Sequence, residues 1–463
     1  MRMIGLASTL ALAAAIVATT ERDARACGGC FSPPTETNSV VTDHRMILSV
    51  SPQQTTLYDQ IRYTGNPSSF AWVLPINGTA TVGLSADLVF GALDSLTQAQ
   101  VQQPPTRCPA PPQNCQANRS PTPTFGAADT ADAGSVTVTK QEVVGPYETV
   151  QLKATDAGAL EAWLATNNYN IPADVKPVID AYVAGHYDFL AMKLVPGASV
   201  QSMRPVRVTT AGASPVLPLR MVAAGTGAVV GITLWIVGEG RYEPQNFASF
   251  QITSDDLVWN WASSSSNYKE LRAQRSLDGK TWEIESSTTQ SRDAVENRIR
   301  YPFSFGNGGP RPANPDAGAD YAPSTFPDGG VKETPDQVRD ADLATLFAGI
   351  GATPRITRIR ADLARAALAA DLLVQPAKDS SELAGLRIPK QEAGQPQCPI
   401  YNGCDYVGTG PRDQAEAQAA KNAKSESFGC RTAQASSDDV PVTLMCLAGF
   451  LGFAVLRSRR RRT

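Results

Sequence analysis

Leu57-Tyr-Asp-Gln-Ile-Arg-Tyr63 and Phe70-Ala-Trp-Val-Leu-Pro-Ile76 are the stretches from which the fold is read. In the first, Leu57, Asp59, Ile61 and Tyr63 alternate with Tyr58, Gln60 and Arg62. In the second, Phe70, Trp72, Leu74 and Ile76 alternate with Ala71, Val73 and Pro75. A period of two marks an extended strand. Thr64-Gly-Asn-Pro-Ser68 between them is a turn signal, so an antiparallel hairpin with one aromatic-aliphatic face is expected. Met46-Ile-Leu-Ser-Val50 reads as a strand before it. Ser85 is expected to cap a helix on which Leu88, Val89, Ala92, Leu93 and Leu96 fall at helical spacing.

Further along, strands are predicted at Glu148–Lys153, Asp188–Leu194, Val229–Val237 and Arg355–Asp362. The last has Thr357, Ile359 and Ala361 on one face and Arg358 and Arg360 on the other. Helices are predicted from Asp156 through Leu160, Trp163 and Leu164, around Val178, Ile179, Tyr182 and Val183 with Gly185 closing, and at Asp340–Phe347. Strand runs with helices grouped between them favour an α+β fold with a mostly antiparallel sheet. The expected domain plan is a main α+β domain over 27–304 with a loose insertion at 102–134. A flexible linker at 305–335 follows, then the C-terminal part of the main domain at 336–390 and a loose spacer at 391–440. Asp316, Asp320 and Asp328 in the linker lack the spacing and the bidentate Glu of a calcium loop.

The two ends carry topological signals. Residues 1–26 combine Arg2, an apolar run from Ile4 to about Ala18 and Ala24-Arg-Ala26 before Cys27, the pattern of a secretory signal peptide. Glu21, Arg22, Asp23 and Arg25 speak against a lipoprotein signal ending at Cys27. Residues 441–463 are an uncharged apolar run followed by five arginines within Arg457–Arg462. That pattern predicts a short transmembrane helix whose basic end stays in the cytoplasm. The run is short against the roughly 20 residues of a full span. The chain is therefore expected to be exported, to pass through the inner membrane and to end in the cell envelope or on the outer surface. Its net charge is −3 with both ends basic. The body is thus acidic, which excludes nucleic acid as a partner.

There are eight cysteines. With Cys430 and Cys446 set aside to the tail, Cys27, Cys30, Cys108, Cys115, Cys398 and Cys404 form an even set in an oxidising compartment and are expected to be disulfide-bonded. Local bridges, Cys108 with Cys115 and Cys398 with Cys404, are the simplest pairing. Cys27-Gly-Gly-Cys30 offers a thiol-disulfide redox reading. A redox CxxC needs a helix N-terminus to lower the thiol pKa, and Phe31-Ser-Pro-Pro34 does not supply one. Neither histidine, His44 or His186, stands near a second CxxC, so no metal or other cofactor is implied.

Asp43-His44-Arg45 is the one triplet with catalytic side-chain types together, and Asp43 and His44 are the candidates for an envelope hydrolase. No Gly-x-Ser-x-Gly or His-Glu-x-x-His motif completes a set. A hydrogen-bonded structural histidine is the better account of His44, and a surface ion pair explains Asp59, Arg62 and Asp43 without a site. Tyr58, Tyr63, Phe70 and Trp72 could line a groove for envelope glycan or protein, or pack in the core. A binding or structural role is thus favoured over hydrolysis or redox chemistry.

Ala26-Cys-Gly-Gly-Cys-Phe31, Val41-Thr-Asp-His-Arg-Met46, Leu57–Gly65 and Ser69-Phe-Ala-Trp-Val-Leu-Pro-Ile76 together resemble an uncharacterised bacterial family, domain of unknown function 2330. Ile356-Thr-Arg-Ile-Arg360 with Asp371-Leu-Leu373 fits its C-terminal region. The resemblance implies an exported envelope protein and brings no agreed catalytic residues. Gly429-Cys430-Arg431, the polar spacer, the apolar run and the arginines resemble the myxobacterial C-terminal sorting signal. That likeness implies a sorting protease acting on the tail and Cys430 as the anchoring point.

Overall fold

In the computed structural model, residues 30–31, 40–64, 71–111, 143–195 (without 154–156, 170, 172 and 174), 203–301 (without 225) and 334–428 (without 352–353) are described. The expected signal peptide, the linker up to 333, the sorting segment and the apolar tail, with Cys27, Cys115 and Cys430, lie outside them. The protein is α+β, as the sequence predicts, with mostly antiparallel sheets and eight α-helices among the described residues. Among these residues no helix is long and apolar enough to cross a membrane.

The chain divides into two compact units, 1–104 with 121–393, and 105–120 with 394–463. The strands that organise the first are β1 (Cys30–Phe31), β2 (Val40–Val50), β3 (Gln54–Thr64), β4 (Ala71–Ile76), β5 (Ala80–Leu84), β6 (Val143–Val144), β7 (Tyr147–Leu152), β8 (Asp188–Leu194), β9 (Val206–Ala211), β10 (Val229–Gly238), β11 (Ser249–Phe250), β12 (Trp282–Thr289) and β13 (Arg355–Ala364). Eight of them form one sheet in the order β11-β12-β13-β10-β2-β3-β9-β5, and five form another in the order β1-β4-β8-β7-β6. In the large sheet β2 runs parallel to β10, and β11 to β12; the other ladders are antiparallel.

The expected hairpin is corrected here. β3 pairs with β2 and β9, whereas β4 pairs with β8 and β1 in the other sheet. The alternation was read rightly, but both faces of β3 need covering. Leu57 joins one core and Tyr58 another, so β4 crosses over to supply part of that cover rather than extending the same sheet.

Four layers result. Met46, Leu48, Ile232, Leu234, Ile236 and Ile359 of the large sheet meet Trp72, Leu74, Leu190 and Met192 of the small sheet in a central core. The opposite face of the large sheet, with Ile47, Tyr58, Trp235, Val237 and Ile356, is covered by α1 (Asp87–Thr97), α6 (Arg292–Arg300) and α7 (Pro335–Leu346). The outer face of the small sheet, with Val73, Phe189 and Ala191, is covered by α2 (Ala157–Thr166), α3 (Lys176–Ala184) and the short α4 (Leu219–Val222). A sheet buried on both faces reads as a continuous apolar run, which is what Val229–Val237 is. Ser85 does not cap α1. The N-cap is Ala86 without a side-chain bond, and the Ser85 hydroxyl donates instead to Asp342 Oδ2 at 2.7 Å. The true cap of α7 is Thr334, in a capping box with Gln337.

The second unit corrects the reading of 391–440 as a loose spacer. Strands β14 (Gln397–Asn402) and β15 (Asp405–Pro411) form an antiparallel hairpin. The helix α8 (Arg412–Phe428) follows, and its Asn422 Nδ2 donates to the Tyr401 carbonyl at 2.7 Å. Local cysteine pairing is also corrected: Cys108 bonds Cys398 across a sequence separation of 290, and Cys398 is fully buried. Cys404 is disulfide-bonded as well. With little apolar surface of its own, a small unit needs such cross-links to restrict its unfolded chain. Non-reducing peptide mapping of the purified protein is expected to recover a peptide joining Cys108 to Cys398. Free Cys108, or a Cys398–Cys404 peptide, would refute this pairing.

Candidate functional site

His44 and Asp59 come together because of strand register. His44 on β2 is opposite Ile61 and Met46 is opposite Asp59, so His44 and Asp59 are diagonal neighbours on one face, within side-chain reach. His44 Nδ1 lies 3.4 Å from Asp59 Oδ1. Both face the core between the sheets, His44 with no exposed surface and Asp59 with 4%. Asp43 and Arg62 are register partners on the same ladder; their side chains lie outside the described residues. The expected surface ion pair is thus replaced, for Asp59, by a buried pair with His44.

Asp59 lines a cavity of about 20 Å³ together with Met46, Leu57, Trp72, Leu74, Leu217 and Met221, among others. No Ser, Thr or Cys stands among the residues lining it. Acyl transfer needs a nucleophile converging on the histidine and access for substrate. Cys30 stands in a strand, opposite Trp72, rather than at the helix N-terminus that thiol redox chemistry favours. Trp72 and Tyr58 are buried, so these two aromatics pack in the core, where Trp72 lines the small cavity.

A second cavity, of about 60 Å³, shares Leu57, Leu74 and Pro218 with the first. It occupies the wedge where the two sheets part. Leu48, Leu57 and Val208 of the large sheet form one wall, and Leu74 and Ile76 of the small sheet the other. Asn77, Tyr187, Thr210, Ser214 and Asp371 add polar groups, of which Asn77 is exposed and the others are half-buried. The loop 212–218 is fixed in part by Thr55. Its hydroxyl donates to the Gly212 carbonyl at 2.9 Å and accepts from the Ser214 N–H at 2.7 Å.

Asp371 is already engaged. Arg220 donates from Nε and Nη2 to Oδ2 at 3.0 and 2.7 Å, its backbone N–H donates to Oδ1 at 3.0 Å, and the Tyr182 hydroxyl donates to Oδ1 at 2.5 Å. The Arg220 guanidinium also lies 4.2 Å from the Tyr182 ring centre. Burial, followed by the adjacent Asp371 carboxylate, raises the Tyr182 phenol far above its ordinary value, so it stays a donor. The pair is charge-compensated, with both guanidinium N–H groups on Oδ2 and the backbone N–H and the phenol on Oδ1. Sequence reasoning missed it because Tyr182, Arg220 and Asp371 come from three distant segments.

The large sheet's other face carries a charge network. Trp235 has the Arg45 and Arg358 guanidiniums 5.1 and 5.3 Å from its ring centre. Arg358 pairs with Asp94 at 2.5 Å and, more closely, with Glu285. A bulge between Ile284 and Ser286 lets Glu285 reach it. Fully buried Glu283 accepts from the Tyr268 hydroxyl at 2.8 Å and lies 3.3 Å from Arg272 and 3.9 Å from Arg387. Burial first, then the charge of Glu285, raises its carboxyl above the ordinary 4.5 despite both arginines. Its members tie β12 and β13 to the segments that cover them. Among the described residues no group of three or more His, Cys, Asp or Glu is arranged to hold a metal ion.

The comparisons place the chain in a family. It belongs to the family described as uncharacterized protein conserved in bacteria (DUF2330), whose model matches residues 22–286. That span includes β2 to β4, with His44 and Asp59, and stops short of Asp371. A solved structure, the crystal structure of baculovirus P35, is similar at 11% identity over 44% of this chain and 66% of that one, with a TM-score of 0.25. No curated protein matches.

Two outcomes follow from the site. His44→Leu leaves a buried carboxylate without its imidazole and is expected to lower stability by about 1–3 kcal/mol. His44→Leu with Asp59→Leu should recover part of that loss in denaturant melts. A double variant whose loss equals the sum of the two single losses would show that the pair is not coupled. For Glu283 the folded pKa lies above the unfolded one. The unfolded chain then binds fewer protons over the interval starting near 4.5, and the Glu283 contribution to stability declines as pH rises through it. Urea midpoints followed across pH should show this decline, and Glu283→Gln should flatten it; an unchanged slope would refute the assignment.

Proposed function

We propose that this member of the family is an exported, envelope-anchored binding protein that takes its ligand in the wedge between the two sheets. The observation that carries the reading is the wedge cavity itself. It is apolar in its walls and polar at its rim, the usual make-up of a small-ligand site, and it is formed by side chains held in two separate sheets. The hydrolase reading loses support because His44 has no exposed surface. The redox reading loses it because Cys30 stands in a strand.

Export is supported by the Cys108–Cys398 and Cys404 disulfides, which persist in oxidising compartments, and by the signal-peptide pattern of residues 1–26. The apolar run and arginines of 441–463 fit a membrane anchor. The likeness of 429–463 to a sorting signal supports processing by a sorting protease near Cys430. The partners in this reading are the membrane, that protease and a small ligand, with envelope glycan or protein as neighbours.

Fractionation of cells making the full chain tests the compartment. The body should resist cytoplasmic but not external proteolysis, and deletion of 441–463 should release it from membranes. Cys430→Ala should keep membrane association and block surface display. Mature protein that retains the Arg457–Thr463 peptide and still reaches the surface would make the tail a plain anchor and remove the sorting step. Body protein accessible only from the cytoplasm would overturn export.

A further inference from the structure

The wedge also restricts what it can bind, and this inference rests on the binding half of the reading above but not on the compartment. Its walls, Leu48, Leu57, Leu74, Ile76, Val208 and Val216, are all aliphatic. Sugars and flat heteroaromatic rings are commonly held by stacking on aromatic faces, and the only aromatic lining residue is Tyr187. The ring of Tyr187 is itself packed edge-on against Tyr182, with centroids 5.4 Å apart. A flexible alkyl chain fits such walls because dispersion and the hydrophobic effect need no directional partner.

Charge narrows the class further. Asp371 is the only ionisable carboxylate or base among the lining residues. Its two oxygens accept from Arg220 and Tyr182, so the carboxylate is compensated before any ligand arrives. A carboxylate or ammonium on the ligand would lose its hydration in the wedge and find no counter-charge to replace it. Hydroxyls of Thr210 and Ser214, the Asn77 amide and the Tyr187 phenol instead suit a neutral head that both donates and accepts. Size sets the last limit. The cavity of about 60 Å³ has room for roughly four to six non-hydrogen atoms, since a single water needs about 10–15 Å³ measured in this way. The smaller chamber beyond Leu57 and Leu74 ends at Asp59, which already faces His44.

We infer that the wedge binds a short, neutral aliphatic molecule with a hydrogen-bonding head, of the size of a five-carbon alcohol or a four-carbon primary amide, its chain lying between Leu57 and Leu74 and its head at Thr210 and Ser214.

Methyl NMR on the full-length chain in lipid nanodiscs tests this, with 1-pentanol, butanoate and pentylammonium, each of six non-hydrogen atoms, as probes and empty nanodiscs correcting for partition into lipid. Pentanol should shift the Leu57, Leu74 and Val208 methyl signals saturably, with both ions at least ten-fold weaker. Val208→Phe should abolish the effect by filling the wedge. Ser214→Trp, at the half-buried mouth, gives the same test without altering the core. Tighter binding of either ion would overturn the neutral class while leaving the wedge as a site. Absence of saturable shifts with all three probes, or pentanol shifts unchanged in Ser214→Trp, would overturn the wedge as a binding site altogether.

Discussion

The large sheet has to be covered on both faces, and most other features of the first unit follow from that constraint. Its central strand Val229–Gly238 points Ile232, Leu234 and Ile236 one way and Trp235 and Val237 the other, all fully buried. One face is closed by the second sheet, the other by three helices. Side chains of both sheets line the wedge that is left between them. Where helices cover the sheet, polar residues that alternation places inward must find partners, and Arg45, Arg358, Glu283 and Glu285 do so among themselves and with Asp94, Arg272 and Arg387.

The same constraint accounts for His44. Its strand position puts it on the face with Met46 and Leu48, which the second sheet covers. An imidazole there needs a hydrogen-bonding partner, and the diagonal residue Asp59 provides one. Buried pairs of this kind are weak contributors to net stability, yet costly to break on one side only. The pair therefore has a sufficient structural explanation.

Periodicity made the central elements legible. Asp188–Leu194 was bounded correctly to the residue, and Val229–Val237 and Arg355–Asp362 to within two. Pairing was not legible: alternation says that β3 and β4 are strands but not that they join different sheets. The helix Arg412–Phe428 escaped because it lacks an apolar stripe, although Ala, Gln, Glu and Lys are strong helix formers. Of the site, the adjacent pair Asp43-His44 is legible, but the pairing of His44 with Asp59 is not, because strand register brings them together. The wedge was illegible, since its walls come from five segments that no local pattern connects.

The most direct measurement of the central claim is a crystal structure of the protein under xenon pressure. Xenon enters preformed apolar cavities without needing a polar partner. The account predicts a xenon atom between Leu57 and Leu74, with the sheets unmoved and His44 still on Asp59. A structure in which the two sheets close on each other without xenon, or in which solvent reaches His44, would contradict it.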